Sequence, residues 1–387
     1  MRSISTKKNI ILSWADELEE DAVKQLINAA EHPCVDRPVV ACPDVHTGFG
    51  VTIGCVLAVS AALIPNAVGV DIGCSMSACR TNLRAGEVSK DTLNAIVNKI
   101  RERVPVGMNH HKEKQEHEIF EDKEKWESLK VCLKEFESAQ YQLGTMGGGN
   151  HFIELQAGDD GFLYYMVHSG SRNLGFKVGN YYNKLASELC HKWRQDKVVD
   201  DQLAFLPMGI TEFHEYMAEM TMCIKFAEAN HEKMQEVIEK SILEELPEAT
   251  FNKKWFTRHN YAAIENINGL NLVIHRKGAI EAKLKMEQII PGSQGTNSYI
   301  VKGLGNEKSY CSASHGAGRV MSRRKAKETL SLREEQAKMK GIIHNMNSEA
   351  KLDEAPSAYK NIVDVLMQEA DLVQPIVKLT PLAVIKE

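Results

Sequence analysis

The sequence predicts a mixed α/β fold in which central β-sheets and flanking helices interleave within a single large domain. Three observations carry this. Strand-like apolar runs alternate with helix-like stretches, no repeat or Pro/Ser-rich linker divides the chain, and 387 residues can bury a sizeable core. Hydrophobic residues make up 43% and charged residues 26%, and no apolar run approaches the roughly 20 residues of a membrane span, so a soluble protein is expected. The N-terminal stretch turns acidic after a few apolar positions and has no signal-peptide h-region, which predicts a cytoplasmic location. Nine cysteines without a CxxC pair read as reduced thiols, and a net charge of −5 argues against indiscriminate coating of nucleic acid while leaving room for a local basic groove.

From the N-terminus, VVACPDVHTGFG, VTIGCVLAVS and NAVGVDIGCSMSACR have the length and β-branched content of buried strands joined by glycine turns. Residues 88–104 predict a helix with Ser89 as N-cap. The segment 110–140 is dense in charge with a sparse apolar stripe and predicts an exposed helical excursion, its His110, His111 and His117 facing solvent. FLYYMVHSGSR returns to strand. A long helix is expected over 211–245, from Thr211 as N-cap, with Met217, Met220, Met222 and Met234 as core fillers. LNLVIHRK and SYIVKGL read as strands, and MSRRKAKETLSLREEQAKM reads as one charged helix.

Several short segments set His, Cys, Asp and Asn beside glycine, which lets backbone approach a ligand or take positive φ. In GVDIGCSM, Asp71 and Cys74 read equally as a turn carboxylate and a buried thiol. GTMGGGNHF is harder to explain by packing, because three glycines cost backbone entropy and fill no space; Asn150 and His151 follow them. His168 in VHSGSR and His259 in RHNY sit in polar turns. Singly each histidine suits a structural role; together, one thiolate, three imidazoles and a carboxylate make a ligand set for one or two transition-metal ions. PGSQGTNSYIV and SHGAGR have the small and hydroxylated residues of loops that offer backbone N–H groups to phosphate, or of plain glycine turns.

GVDIGCSM, GGGNHF, VHSGSR, HNY, PGSQGTNSY and SHGAGRVMSR, in this order, closely resemble the RtcB family of RNA-splicing ligases, over a match from about Asp44 to Lys386. The resemblance implies an RtcB-like fold and an enzyme that joins an RNA 3′-phosphate or 2′,3′-cyclic phosphate end to a 5′-hydroxyl end, using GTP and two Mn²⁺ ions, in tRNA splicing or RNA repair. It assigns Asp71, Cys74 and His151 to one ion and Cys74, His168 and His259 to the other. The nucleotide pattern falls on Asn150, Glu154, Ser293, Ser298, Arg319, Tyr359 and Lys386, with Lys386 at the guanine, and the guanylylated nucleophile on His315. Asp44, in PDVHTGFG with His46, is expected to orient that histidine. Arg172, His275, Arg276 and Lys277 are expected near RNA phosphates, with structural salt bridges as the alternative. An archease-type activator is a further partner that the resemblance admits.

The family usually carries Gly where Ser75 stands, Pro where Thr47 stands and Gly where Glu387 stands, which points to a divergent subfamily acting on damaged tRNA or rRNA. Two other functions fit parts of the pattern. A dinuclear metal phosphodiesterase acting only on cyclic phosphate ends would need the Asp/Cys/His cluster but not His315, Arg319 or Lys386. A non-catalytic RNA-binding scaffold would need none of them.

Overall fold

The computed structural model describes residues 1–195, 200–267 and 269–387. Its frame is mixed α/β: two large sheets, each covered on both faces. The first has six strands in the order Arg2–Ser5, Ile10–Ser13, Val39–His46, Ile53–Val59, Leu270–Lys277 and Asn260–Ile267. The second has seven, in the order Phe251–Arg258, Ser75–Arg84, Phe162–Ser169, Phe152–Gly158, Val373–Ile385, Ser298–Gly303 and Glu287–Ile290.

Alternation explains the double coverage, because successive side chains of a strand point to opposite faces. In Phe162–Ser169, Leu163, Tyr165 and Val167 pack with the helix Lys90–Arg103, while Tyr164 and Met166 enter a second cluster with Trp255 and Ile300. In Val39–His46, Val39 and Ala41 face the largest cluster and Val40 and Cys42 face another. Burying each such large apolar side chain contributes roughly 1.5–3 kcal/mol.

The helix Lys90–Arg103 begins as the sequence predicts, with Ser89 Oγ accepting from the Thr92 N–H at 3.1 Å. The long helix runs Thr211–Leu243, but Thr211 is its first residue; Ile210 occupies the cap position without a side-chain bond. Met220, Met222 and Met234 are buried and Met217 is partly so. The predicted charged helix is two, Arg323–Thr329 and Leu332–Lys338, the second preceded by Ser331 in extended conformation.

The segment 110–140 is not an exposed excursion. Phe120, Trp126, Cys132 and Ala139 are buried in the largest core cluster, and the helix Cys132–Gln142 is tied down by Glu219, a buried carboxylate of the long helix that accepts from the N–H groups of Val131 (2.6 Å) and Cys132 (2.8 Å). A carboxylate at a helix N-terminus satisfies donors that have no intrahelical partner. The charge seen in the sequence lies on the outer face. His110 is exposed, but His111 and His117 are half-buried and bonded to Gly144 O and Glu232. All nine cysteines are free. No helix among the described residues is long and apolar enough to cross a membrane.

Candidate active site

Strand register assembles the site. In the second sheet Arg258 pairs with Ser75, Met76 with His168, and His168 with Phe152. The residues just beyond or at these pairs, His259, Cys74, His168 and His151, therefore form a row across four neighbouring strands at one sheet edge. Cys74 Sγ lies 3.3 Å from His151 Nε2 and 3.2 Å from His168 Nε2; His168 Nε2 lies 3.3 Å from His259 Nε2, and Asp71 Oδ2 lies 3.4 Å from His151 Nε2. The His259 N–H donates to Cys74 O at 3.1 Å, fixing the outermost ligand to the row.

Two groups of donor atoms converge, Asp71, Cys74, His151 and Cys74, His168, His259, each within 4.8 Å. Their chemistry fits a cation. Burial, with the neighbouring histidines, holds His168 and His259 well below the usual imidazole range, so both are neutral and offer lone pairs. His168 Nδ1 donates to Asn150 O at 3.1 Å, which leaves its Nε2 unprotonated and aimed at Cys74. Burial and the Asp71 carboxylate push the Cys74 thiol well up, so a thiolate at this place requires added positive charge. Burial opposes ionisation of Asp71, but His151 and Cys74 outweigh it and bring its carboxyl down to about 2. Cys74 belongs to both groups.

Gly147 keeps the row open and Gly149 makes room beside it. A Cβ on Gly147 would overlap the His151 ring, and Gly149, at φ +67°, lies under the Arg323 guanidinium, so side chains there would block both approaches.

His315 comes from the other side. It follows the short strand Ser312–Ser314, and its ring centroid lies 4.9 Å from that of His259. Asp44, fully buried near the end of Val39–His46, accepts from His315 Nδ1 at 2.6 Å and from the His315 backbone N–H at 3.1 Å. A carboxylate can only accept, so Nδ1 carries a proton, and in the neutral tautomer Nε2 is the nitrogen with the lone pair. Gly318, at φ +72°, packs against the Asp44 backbone, where any Cβ would collide.

Beyond His315 opens a cavity of about 560 Å³, a size suited to a nucleotide. Asn150, Ser293, Arg319, Tyr359 and Lys386 line it, together with His46, Phe152 and Arg323. Lys386 reaches it because the strand Val373–Ile385 pairs Ile385 with Ile153, next to Phe152. Glu154 and Ser298, by contrast, lie outside the cavity wall. Glu154 is buried, bonded to Gln156 at 2.6 Å, and raised to about 8 by burial; Ser298 Oγ accepts from the Gly292 N–H and holds the 291–297 loop.

Glu354 went unnoticed in the sequence. It sits in the cavity wall with Arg319 Nη1 at 3.2 Å, Arg323 Nη2 at 3.2 Å and Lys386 Nζ at 3.3 Å, and accepts from Tyr359 OH. Burial works against its charge, but Lys386, Arg323, Tyr359 and Arg319 prevail and hold its carboxyl below the usual range. The signal available was indirect: Arg319 and Lys386, both assigned to the nucleotide, need a counter-charge, and DEAPSAY supplies it.

His275, Arg276 and Lys277 are not placed to meet RNA. His275 is buried and neutral, accepting from the Ile64 N–H at 3.0 Å, with burial lowering it to about 4. Arg276 is fully buried in an ion pair with Glu265 and donates to Ser312 Oγ and Tyr310 O. Lys277 donates to the carbonyls of Phe49 and Asn66. These are structural contacts, which a buried strand imposes on any cation it carries. Arg172 differs: at φ +57° it opens the helix Arg172–Lys192, donates to Thr145 Oγ1 and Gly107 O, and lies beside Gly147 at the donor row.

A family model described as tRNA-splicing ligase RtcB matches residues 25–138 and 122–387. The chain is 35% identical over 407 residues to RNA-splicing ligase RtcB of Escherichia coli K12, covering 99% of this chain and 98% of that protein. It is 36% identical, with the same coverage, to RNA-splicing ligase RtcB1 of Escherichia coli ATCC 25922. Against tRNA-splicing ligase RtcB of Archaeoglobus fulgidus it is 30% identical over 444 residues, covering 95% of this chain and 92% of the relative.

Proposed function

The chain belongs to the RtcB family, and from that premise we propose that it is a GTP- and Mn²⁺-dependent RNA ligase that joins a 3′-phosphate or 2′,3′-cyclic phosphate end to a 5′-hydroxyl end through guanylylated His315. The observation that carries this reading is the Asp44-held imidazole, with Nε2 free, between the donor row and a nucleotide-sized cavity.

His315 Nε2 attacks the α-phosphorus of GTP; the N–P bond forms, the α–β phosphoanhydride breaks and pyrophosphate leaves. Asp44 keeps the Nδ1 proton in place and stabilises the positive charge that develops on the ring. Lys386 and Arg319, pinned by Glu354, stand where a guanine and a phosphate would be held, with Asn150, Ser293 and Tyr359 around them. A cyclic RNA end is first opened by water to a 3′-phosphate. An oxygen of that phosphate then takes GMP from His315, breaking the N–P bond and returning the imidazole. The 5′-hydroxyl attacks the RNA phosphorus of the resulting 3′ guanylyl diphosphate, a P–O bond forms, and GMP leaves as the hydroxyl proton is lost. Two Mn²⁺ ions bound by Asp71, Cys74 and His151 and by Cys74, His168 and His259 would supply Lewis-acid stabilisation of the phosphate charge. Arg172, beside the row, is the remaining candidate for an RNA phosphate.

The test is incubation with α-labelled GTP and Mn²⁺. An acid-labile, base-stable protein adduct is expected, and His315→Ala should lower it by at least about a thousand-fold, as removing a nucleophile does. Equal labelling of His315→Ala, or hydrolysis of cyclic ends without any adduct, overturns the reading.

A further inference from the structure

The loop at 47–50, TGFG, leaves the strand Val39–His46 beside the cavity, whose wall includes His46 and Thr47. Phe49 in this loop is 63% exposed. A lone exposed aromatic is ordinary on a surface, but this one sits on an unusually constrained support. The Gly48 N–H and carbonyl are both bonded to the Gln25 side chain (3.1 and 2.6 Å), the Gly50 N–H donates to Gln202 Oε1 at 3.1 Å, and Lys277 Nζ donates to the Phe49 carbonyl itself at 2.5 Å. Gly50 takes φ +75° against Asn66 and the Gln202 backbone, where a Cβ has no room. Three separate parts of the chain thus hold the backbone under a ring that is mostly exposed.

We propose that Phe49 is a stacking platform for a nucleobase of the RNA end that enters the cavity, an inference that rests on the ligase reading. Charge selects the base face over the phosphate here. Glu19 and Asp21 line this side of the cavity, Glu19 accepting from Thr47 Oγ1, while the nearby Lys24 is engaged by Glu20 and Asp21 and Lys360 by the carbonyls of Pro43 and Val45. No uncommitted cation faces a phosphate on this rim among the described residues, whereas Arg319 and Arg323 stand on another part of the wall. An aromatic face holds any base without charge, and a loop backbone fixed in advance loses little entropy on binding. The buried Lys277 then serves RNA at one remove, by fixing the Phe49 carbonyl.

The experiment compares wild type with Phe49→Ala, Phe49→Leu and Phe49→Trp, using oligonucleotides with 3′-phosphate and 5′-hydroxyl ends carrying 2-aminopurine at the terminal positions. Phe49→Ala is expected to raise KM for RNA by about 10-fold, in line with the loss of one base stack, while His315 labelling by GTP stays at the wild-type level. Phe49→Trp should restore the wild-type KM and Phe49→Leu should not, and 2-aminopurine quenching on binding should disappear with Phe49→Ala. An unchanged KM for Phe49→Ala, or full function with Phe49→Leu, overturns the platform while ligation continues. Absence of labelling and ligation in the wild type instead overturns the ligase reading.

Discussion

The row of donor atoms, which borders the cavity through His168 and is here called the ligand wall, and the nucleotide wall opposite handle polarity in opposite ways. On the ligand wall, Cys74, His168 and His259 are buried and neutral, and His151 Nδ1 and His259 Nδ1 have no hydrogen-bond partner. On the nucleotide wall, Arg319, Arg323, Lys386 and Tyr359 converge on Glu354. Buried polar atoms without partners are costly, about 1–3 kcal/mol each. The first wall therefore leaves polar atoms uncompensated, whereas the second is compensated by its own residues. Different disruptions should expose this difference.

The largest effect is expected at Cys74, which both donor groups share. Cys74→Ala should abolish binding of both Mn²⁺ ions, read by elemental analysis of dialysed protein, and should lower His315 labelling by at least about a thousand-fold. Retention of two ions would break the bridging assignment and with it the claim that this wall depends on one sulfur.

On the opposite wall Glu354→Gln removes charge but keeps shape. Lys386, Arg319 and Arg323 then lose their common partner. We expect KM for GTP to rise about 10-fold, because the cations are no longer held in place, at a stability cost on the order of 3 kcal/mol for breaking a buried pair from one side. Manganese content should be unchanged. Titration of labelling against GTP, with thermal unfolding and metal analysis on the same sample, separates these. A lost metal complement would show that the two walls are coupled rather than independent.

The same contrast governs what could be read from the sequence. The ligand wall was legible because strand register brings short motifs to one edge, so each donor sits in its own recognisable segment: GVDIGCSM, GGGNHF, VHSGSR, HNY. Glu354 was not legible, since nothing in KLDEAPSAY distinguishes a pocket carboxylate from a solvated one; only its distance to three cations does. The strands Phe162–Ser169, Leu270–Lys277 and Ser298–Gly303 fell where their apolar runs predicted. For His275, Arg276 and Lys277 the sequence left an RNA role and structural contacts both open, and only tertiary contacts show them buried. The 110–140 segment misled for the converse reason: Trp126 and Phe120 are few, but each ring buries much apolar area, enough to seat two short helices on the core.

Behind His315 lies a group that belongs to neither wall and predicts the smallest effect. Glu369 is fully buried; its Oε2 accepts from the Ser314 N–H at 2.9 Å, and its Oε1 has no partner. Burial, with Asp44 and Asp371 adding to it against the Ser314 bonds, raises its carboxyl from 4.5 to about 8. A raised carboxyl binds its proton more tightly in the folded state than in the unfolded one. Its contribution to stability is therefore complete below pH ~4.5 and is lost as pH rises toward 8. Glu369→Gln cannot titrate and should escape that loss. Urea unfolding at pH 5.5 and pH 8 should show the variant gaining roughly 3 kcal/mol on the wild type between the two conditions. Glu154, likewise raised to about 8, titrates in both proteins and cancels in the difference. A pH-independent gap between the two would mean that Glu369 keeps its charge beside Asp44, and that the carboxylate bonded to His315 shares its burial with a second anion.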